Sequence, residues 1–454
     1  MTQAERRRLM VEGGWVVAGQ ILSALGVLLG LRVLTSLLSP HVFGEVVLVS
    51  GIVLMAEGLA AGPLMQAVLR YYPEAAATNR VEVLRAATMK YLNRSTLLTG
   101  VFCLIGFLLY SQFTPLSPWI GPLTVALLVV DVLRQHEITL LNSARCQRIA
   151  ALWVAADVWA RPILAWAMIT VTGPTVMATL TGYVGASLTL LLLLAPWRIR
   201  SKVPSYKERT GGTCSASHGR EWSSIQKQIE LNEQQLGKCL TRYAVPLIPL
   251  GVINWITDQA DRFLIGALIG AEQAGIYAAL YGLVSRPFLM AGGALELWMR
   301  PVYHEALLSR SGVREKRILQ VWLRAILSIG IVGTIIFGIW QEGIAALLLA
   351  EPYRVASWLM PWIAAGYGLL LIANLYGRVC YANHDTKAVF VAETTGSVAS
   401  LIAAAYGVVQ FGIAGAAYAV PVYFGAQLIV ARVLAHRAEG RGGASVWVGE
   451  RASA

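Results

Sequence analysis

Apolar residues come in runs of about 20 along most of the chain, and shorter polar segments separate the runs. A run of that length can cross ~30 Å of hydrocarbon as an α-helix. The first run follows the basic residues 6–8 as in a signal peptide, but it is too long and lacks a small-residue cleavage site, so we interpret it as a retained membrane helix. The pattern predicts twelve spans: 13–38, 43–66, 88–110, 122–141, 150–172, 175–196, 241–268, 275–299, 318–340, 355–377, 388–409 and 412–434.

One passage occurs twice, about 230 positions apart, with Arg32 matching Arg262 and Phe43-Gly44 matching Ala274-Gly275. A duplicated half is typical of transporters built from two repeats, and six spans per half make the repeats parallel. The predicted fold is therefore an all-α, polytopic membrane protein with two six-helix lobes. We expect an N-terminal lobe at 1–197, a cytoplasmic linker at 198–240, a C-terminal lobe at 241–436 and a cytoplasmic tail at 437–454.

Composition supports a membrane protein, because 56% of residues are hydrophobic and 14% are charged, against about 25% charged in soluble domains. The net charge of +12 raises the possibility of a nucleic-acid partner. The basic residues lie mainly in the turns on one side, whereas the turns on the other side contain only Arg354. This asymmetry obeys the positive-inside rule and predicts that both termini are cytoplasmic. The charge therefore reports topology, and we expect no nucleic-acid partner.

Motifs for covalent chemistry are missing from the sequence. No glycine-rich phosphate loop, metal-spaced ligand set or nucleophile beside a base is present. Cysteines are absent from the predicted outward turns, so no disulfide is expected. The sequence predicts a protein that is not an enzyme and that needs no cofactor or metal.

Charged residues inside apolar spans are the informative ones, since each costs at least ~2.5–3.5 kcal/mol at mid-bilayer if unpaired. Some have an opposite charge four residues away on the same helix, where the two side chains can neutralise each other. Neutralisation and function both remain open for these three pairs: Asp157 with Arg161, Asp258 with Arg262, and Glu296 with Arg300.

Other charges in the spans have no opposite charge four residues away: Arg32, Glu57, Asp131, Asp261, Arg286 and Glu393. Arg286 and Asp258 lie at matching depth on adjacent helices, so a structural bridge from Arg286 to Asp258 or Asp261 is one reading. Arg32 has no acidic neighbour at its depth on the second span. We therefore expect Arg32 to face water, a ligand or the other lobe, and we rank it first as a functional residue.

Two kinds of chemistry fit these charges. Guanidinium groups bind phosphate bidentately and stay charged when desolvated, so the candidates for binding an anionic head group are Arg32, Arg286, Arg262 and Arg161. Buried carboxyl groups can instead take up protons, so the candidates for proton or ion coupling are Glu57, Asp131, Asp258, Asp261 and Glu393. The sequence does not choose between the two.

The motifs resemble those of bacterial polysaccharide-biosynthesis membrane proteins, the oligosaccharide flippases of the multidrug/oligosaccharidyl-lipid/polysaccharide exporter superfamily. The resemblance covers about residues 10–435. It is carried by Leu38 to Pro40, Phe43-Gly44, Leu69 to Glu74, Tyr243 to Pro249, Asp261 to Gly266 and Ala274 to Tyr281.

The resemblance implies twelve helices in two bundles, alternating access, and a glycan on a polyprenyl diphosphate as substrate, for O-antigen, capsule or exopolysaccharide synthesis. It implies that Arg32, Arg262 and Arg286 lie on helices that face the cavity. Implied partners are membrane lipids and a glycan polymerase or glycosyltransferases of the same pathway. Three rivals remain: a drug/cation antiporter of the same fold, a membrane subunit of a polysaccharide synthase complex, and a glycan polymerase or ligase, which would need a larger outward loop.

Overall fold

A computed structural model describes residues 3–78, 80–110, 117–200, 233–308, 312–383 and 385–442, and these residues form helices joined by short turns. The predicted all-α membrane fold is confirmed. The α-helices are α1 (Gln3–Leu37), α2 (Pro40–Ala60), α3 (Gly62–Ala77), α4 (Val81–Tyr110), α5 (Ile120–Ser143), α6 (Gln147–Thr172), α7 (Val176–Arg200), α8 (Glu233–Ala244), α9 (Ile248–Leu268), α10 (Ala271–Leu308), α11 (Gly312–Ile339), α12 (Gln341–Leu348), α13 (Met360–Ala382), α14 (Thr386–Phe411) and α15 (Ile413–Gly442).

Eleven segments in the described residues are long and apolar enough to cross a membrane, and each matches one of the twelve predicted spans. The predicted span at 122–141 forms α5, which is a continuous helix but is not among the eleven. Asp131, Arg134 and Glu137 on this helix lower its average hydropathy. All three charges have partners inside the protein: Arg85 Nη2 donates to Glu137 Oε1 at 2.6 Å, and the partners of Asp131 and Arg134 are described below.

The predicted second span is divided between two helices. Helix α2 ends at Ala60, the chain turns at Ala61, and α3 begins with Pro63 in its first turn. Proline has no N–H to donate and fits the first turn of a helix, where that N–H would be unsatisfied anyway. The predicted linker at 198–240 is described only at its two ends. Its residues 201–232 lie outside the described ranges, but from Glu233 onwards the chain is helical and Leu240 is buried against Tyr72 and Leu84.

The chain divides into two compact units. Unit 1 contains the segments Met1–Gly19, Val49–Gly173 and Met177–Val252, and unit 2 contains Gln20–Leu48, Pro174–Val176 and Ile253–Ala454. The units thus differ from the two halves of the sequence, because most of α1 and the start of α2 belong with the second half. The division into lobes at 198–240 stays a prediction.

Contacts within unit 2 explain why the α1–α2 segment belongs there. The Leu38 carbonyl oxygen accepts a hydrogen bond from the buried Tyr353 hydroxyl at 2.9 Å. The ring of Phe43 packs edge-on against the Tyr353 ring, with centroids 5.7 Å apart. Helix α2 also approaches α10 at Gly44: a Cβ atom there would lie 1.8 Å from the Ala271 carbonyl oxygen. Only glycine permits backbones to come this close.

The approach is reciprocal. A Cβ atom on Gly275 of α10 would lie 2.1 Å from the Pro40 carbonyl oxygen and 2.8 Å from the Gly44 nitrogen. Gly44 and Gly275 belong to the matched motifs of the repeated passage. The start of α2 is therefore fixed on the start of α10 by direct backbone packing.

Candidate functional site

The candidate charged side chains of α5 and α6 in unit 1 form a buried cluster that Ser187 of α7 joins. Asp131 and Asp157 are both 4% exposed. Arg161 lies between them: its Nη2 donates to Asp131 Oδ1, and its Nε is 3.0 Å from Asp157 Oδ2. Ser187 Oγ accepts from Arg161 Nη2 at 3.0 Å and donates to Asp157 Oδ1 at 3.0 Å. The i, i+4 pairing of Asp157 with Arg161 expected from the sequence is present.

Asp131 has charged partners that the four-residue spacing did not reveal. One is Arg161 on the neighbouring helix, and the other is Arg134, three residues further along α5, at 3.4 Å. Arg134 also lies 3.6 Å from Asp157. The cluster is therefore two arginines held between two carboxylates, with a serine as a third polar partner. Such an arrangement neutralises itself and leaves little capacity for an additional ligand.

Glu57 on α2 lies near this cluster in unit 1. Its carboxyl group is half-buried. It is repelled by the charges of Asp131 and Asp157 and attracted by those of Arg134 and Arg161. Glu57 is thus the one carboxyl group of the set whose charge the two arginines do not already balance, and it stays a candidate for proton coupling.

Arg32 contacts protein within unit 2. Its Nη1 donates to the main-chain carbonyl oxygen of Leu349, just after the end of α12. The Thr35 hydroxyl, one turn further along α1, accepts a hydrogen bond of 3.4 Å from the Ala350 N–H. Leu349 belongs to the predicted C-terminal lobe, so this contact agrees with one of the three expectations for Arg32, and it helps to fix α1 to the segment after α12. Its role in substrate binding is a prediction that no contact supports.

Asp261 and Arg262 are adjacent on α9 but have different partners. Asp261 is 3% exposed, and its Oδ2 accepts a hydrogen bond of 2.7 Å from the Tyr277 hydroxyl on α10. Arg262 stacks on the Tyr281 ring, with its guanidinium carbon 4.6 Å from the centroid, a cation–π contact. It also donates to the Asp258 carbonyl oxygen at 3.1 Å and to Gln259 Oε1. The expected Asp258–Arg262 pair thus meets through the Asp258 main chain.

Arg286 and Asp258 are the exposed charges of this region. Both side chains are exposed, although α9 and α10 are apolar membrane helices. The charge of Asp258 attracts Arg286, and the charge of Arg262 repels it. The bridge to Asp261 is not formed, since Asp261 accepts from Tyr277 instead. An exposed charge at membrane depth must face water or a ligand to avoid the cost of hydrocarbon.

The remaining candidates lie at another place in unit 2. Glu296 on α10 binds Arg378 on α13, with Glu296 Oε1 2.8 Å from Arg378 Nε and Oε2 3.2 Å from Nη2. The predicted pair of Glu296 with Arg300 is longer, at 3.9 Å. Glu393 on α14 lines a cavity that also reaches Arg378. Spacing along one helix could not indicate Arg378, because its partner Glu296 is on a different helix.

The charges of unit 2 that could bind an anion are therefore Arg262 and Arg286, with Asp258 beside them. The two arginines repel each other, and a bound anion would relieve that repulsion. In unit 1 the corresponding arginines, Arg134 and Arg161, are already paired with the carboxylates of Asp131 and Asp157. Within the described residues, no group of three or more His, Cys, Asp or Glu side chains could hold a metal ion.

Comparisons with known proteins agree with this fold. Nothing among the curated proteins matches the chain. Among solved structures, the lipid II flippase MurJ in an inward closed conformation is similar with a TM-score of 0.65 and 12% identity, covering 94% of this chain and 87% of that one. An inward-facing multidrug resistance MATE family transporter of the MOP superfamily has a TM-score of 0.66 and 12% identity, with 97% and 96% covered. An outward-facing one has 0.60 and 13%, with 96% and 95% covered.

At these identities the structural likeness establishes the fold and nothing further. The sequence comparison is more specific. The sequence model of a family described as polysaccharide biosynthesis protein matches residues 10–292, which is more than half of the chain. The predicted family resemblance is thereby confirmed: this multi-pass membrane protein belongs to the polysaccharide biosynthesis protein family.

Proposed function

We propose that the protein is a flippase that moves a polyprenyl-diphosphate-linked oligosaccharide outward across the cytoplasmic membrane by alternating access. The supply of glycan for O-antigen, capsule or exopolysaccharide would depend on it. Membership of the polysaccharide biosynthesis family supports the glycan, and the likeness to flippase and transporter folds supports the transport. Both termini would be cytoplasmic, as the distribution of basic residues predicts.

The observation that carries the proposal is the exposed Arg286 on α10, beside the stacked Arg262 on α9. A diphosphate carries several acceptor oxygens and negative charge, and guanidinium groups bind such oxygens in pairs without losing their own charge. The polyprenyl chain would stay in lipid while the two arginines hold the head group. A neutral or cationic drug would gain nothing from these arginines.

Asp258 gives this site a way to release its ligand. Its exposed carboxylate attracts Arg286 and would repel a phosphate bound there. Binding of the diphosphate is then favoured when Asp258 is protonated or turned away, and release is favoured when Asp258 pairs with Arg286. Asp258 is thus the coupling carboxyl group that we propose for this site, and Glu57 is the corresponding candidate in unit 1.

Binding of polyprenyl diphosphate to the purified protein in lipid nanodiscs tests the proposal, with the uncharged polyprenol as the control ligand. Arg286→Ala should weaken diphosphate binding about 10- to 100-fold, because one hydrogen-bonded charge contributes roughly 1.5–3 kcal/mol. Arg300→Ala is the matched control, since Arg300 lies on the same helix with an exposed side chain. Polyprenol binding should be unchanged in both variants.

In cells, Arg286→Ala should reduce surface glycan at a normal protein level, whereas Arg300→Ala should not. Normal glycan together with unchanged diphosphate binding in Arg286→Ala would refute the proposed function. Raised toxin sensitivity with normal glycan would favour the drug/cation antiporter, to which the MATE fold likeness points. Loss of activity in a co-purifying glycosyltransferase would favour a synthase subunit, and such an association would also test the polymerase or glycosyltransferase partners.

A further inference from the structure

Unit 2 contains a cavity of about 150 Å³ between α13, α14 and α15, next to the turn that joins α13 to α14. Alanine, valine and glycine form much of its lining. Polar side chains from all three helices line it, among them Arg378 from α13, Glu393 from α14 and Gln427 from α15. The cavity involves none of the residues of the proposed diphosphate site.

Gln427 has an unsatisfied acceptor. The residue is 7% exposed, and within the described part of the chain its buried Oε1 has no hydrogen-bond partner. Gly396 on α14 makes room for this amide, because a Cβ atom there would lie 2.6 Å from Oε1. A buried acceptor without a donor costs free energy, and native structures rarely leave one unexplained. The missing group is a hydrogen-bond donor within the cavity.

Arg378 is not that donor in this arrangement. Its Nε and Nη2 both face Glu296 on α10, at 2.8 and 3.2 Å. Glu393, which lines the same cavity as Arg378, has no basic nitrogen within 4 Å among the residues that the structure describes. Glu393 precedes Gly396 by three residues, so the two positions lie on one face of α14. A protonated carboxyl group on Glu393 would carry an O–H donor.

We propose that this cavity is a proton-binding site in which Glu393 takes up one proton and, as a neutral carboxyl group, donates a hydrogen bond to Gln427 Oε1. In that state Arg378 stays paired with Glu296 and Glu393 is neutral. When Glu393 releases the proton to water, its carboxylate competes with Glu296 for the single guanidinium of Arg378. Proton uptake thus changes the ion pair that Arg378 of α13 forms. When Glu393 is neutral, Arg378 pairs with Glu296 and links α13 to α10. When Glu393 is charged, Arg378 pairs with Glu393 and links α13 to α14.

The other groups around Glu393 do not supply a competing charge. From α13, the cavity is lined by Asn374, Arg378, Cys380 and Tyr381, and α15 contributes Gln427 and Ala431. Glu296 acts through Arg378, and Arg300 lies 3.9 Å from Glu296. A role of this site in coupling proton movement to transport rests on the proposed function. The protonation of Glu393 itself can be measured without any substrate.

Infrared difference spectroscopy of the purified full-length protein between acid and alkaline pH tests protonation directly. Wild type should show a protonated-carboxyl stretching band whose Glu393 component is missing from Glu393→Gln, while the components of other carboxyl groups remain in both. Glu342→Gln, which changes an exposed glutamate on α12, is the matched control and should keep that band. The same band in Glu393→Gln and wild type would overturn the proposal.

Gln427→Met removes the acceptor at similar volume and should lower the proton affinity of Glu393 about tenfold, since one hydrogen bond is lost. Glu393→Gln supplies an N–H₂ donor without titrating, and it should fold as wild type does. An unchanged midpoint in folded Gln427→Met would contradict the hydrogen bond. If sodium raised the thermal stability of wild type but not of Glu393→Gln, and no carboxyl band appeared, the site would bind a cation and the proton proposal would be wrong.

Failure of this site and failure of the proposed function can be told apart. Loss of diphosphate binding in Arg286→Ala with no Glu393 band would leave the flippase and remove its proton site. A Glu393 band together with normal surface glycan in Arg286→Ala would leave the proton site and remove the flippase.

Discussion

Both compact units hold arginines among carboxylates inside apolar helices, but they use them differently. In unit 1, Arg161 lies between Asp131 and Asp157 with Ser187 as a further partner. In unit 2, Arg286 is exposed, and its attraction to Asp258 involves no direct bridge. Both sites contain arginine and aspartate. They differ in how many carboxylates lie within ion-pair distance of the arginine, and this number decides whether the arginine is available to a ligand. A guanidinium whose partners are complete stabilises the fold, and one whose partners are incomplete is available to a ligand.

The largest difference is expected in stability. Arg161→Ala leaves two buried carboxylates short of a partner, and breaking a buried pair of this kind costs about 3–5 kcal/mol. Arg286→Ala removes no close partner and should change the free energy of unfolding by less than about 1 kcal/mol. Reversible unfolding of both variants in mixed detergent micelles measures the difference. Equal stability of the two variants would abolish the distinction between the sites.

Tight backbone packing at the start of α10 gives a second test of stability in unit 2. Gly44→Ala places a methyl group against the Ala271 carbonyl oxygen and should destabilise the protein by about 1–3 kcal/mol, as overpacking does. Gly58→Ala on the same helix is the matched control, since nothing lies within 4 Å of its Cβ position. Thermal unfolding followed by size-exclusion chromatography compares the two. If both variants unfold at the same temperature as the wild type, the close approach at Gly44 does not contribute to stability.

The smallest effect is expected for an ion pair at the surface of unit 1. Arg70 Nη1 lies 2.7 Å from Glu74 Oε1, about as close as a buried pair, but the Arg70 side chain is 58% exposed. Solvent screens such pairs, so Arg70→Ala should cost no more than about 0.5 kcal/mol. The same unfolding measurement that detects Arg161→Ala should barely register this variant. A loss as large as that of Arg161→Ala would mean that burial does not determine the strength of these pairs.

Hydropathy and spacing predicted the helices well, because membrane spans are dictated by local composition. They missed the partners of the charges, because those partners come from other helices. Arg134 follows Asp131 by three residues, whereas the predicted pairs are four residues apart. Arg161 contacts Asp131 from a different helix, α6. Arg32 shows most clearly that the sequence does not identify the partner of a charge within a span. Its partner is a main-chain carbonyl of Leu349, which no pattern of charged residues could indicate.

The composition of the two units could not be predicted from hydropathy either. Apolar runs give the length of each helix but not the neighbour on which it packs. The assignment of the α1–α2 segment to unit 2 depends on a hydroxyl of Tyr353, a ring contact of Phe43 and two glycines. The repeated passage did contain a trace of this packing, since both glycines belong to it.

The meeting of Gly44 with Gly275 has a consequence for which substitutions the chain can accept. Each glycine approaches the backbone beside the other, since a Cβ atom on Gly275 would lie 2.8 Å from the Gly44 nitrogen and a Cβ atom on Gly44 would lie 3.0 Å from the Gly275 nitrogen. A bulkier residue at either position therefore pushes the same two helices apart, and no change of residue at the other position can compensate, because glycine already has the smallest side chain.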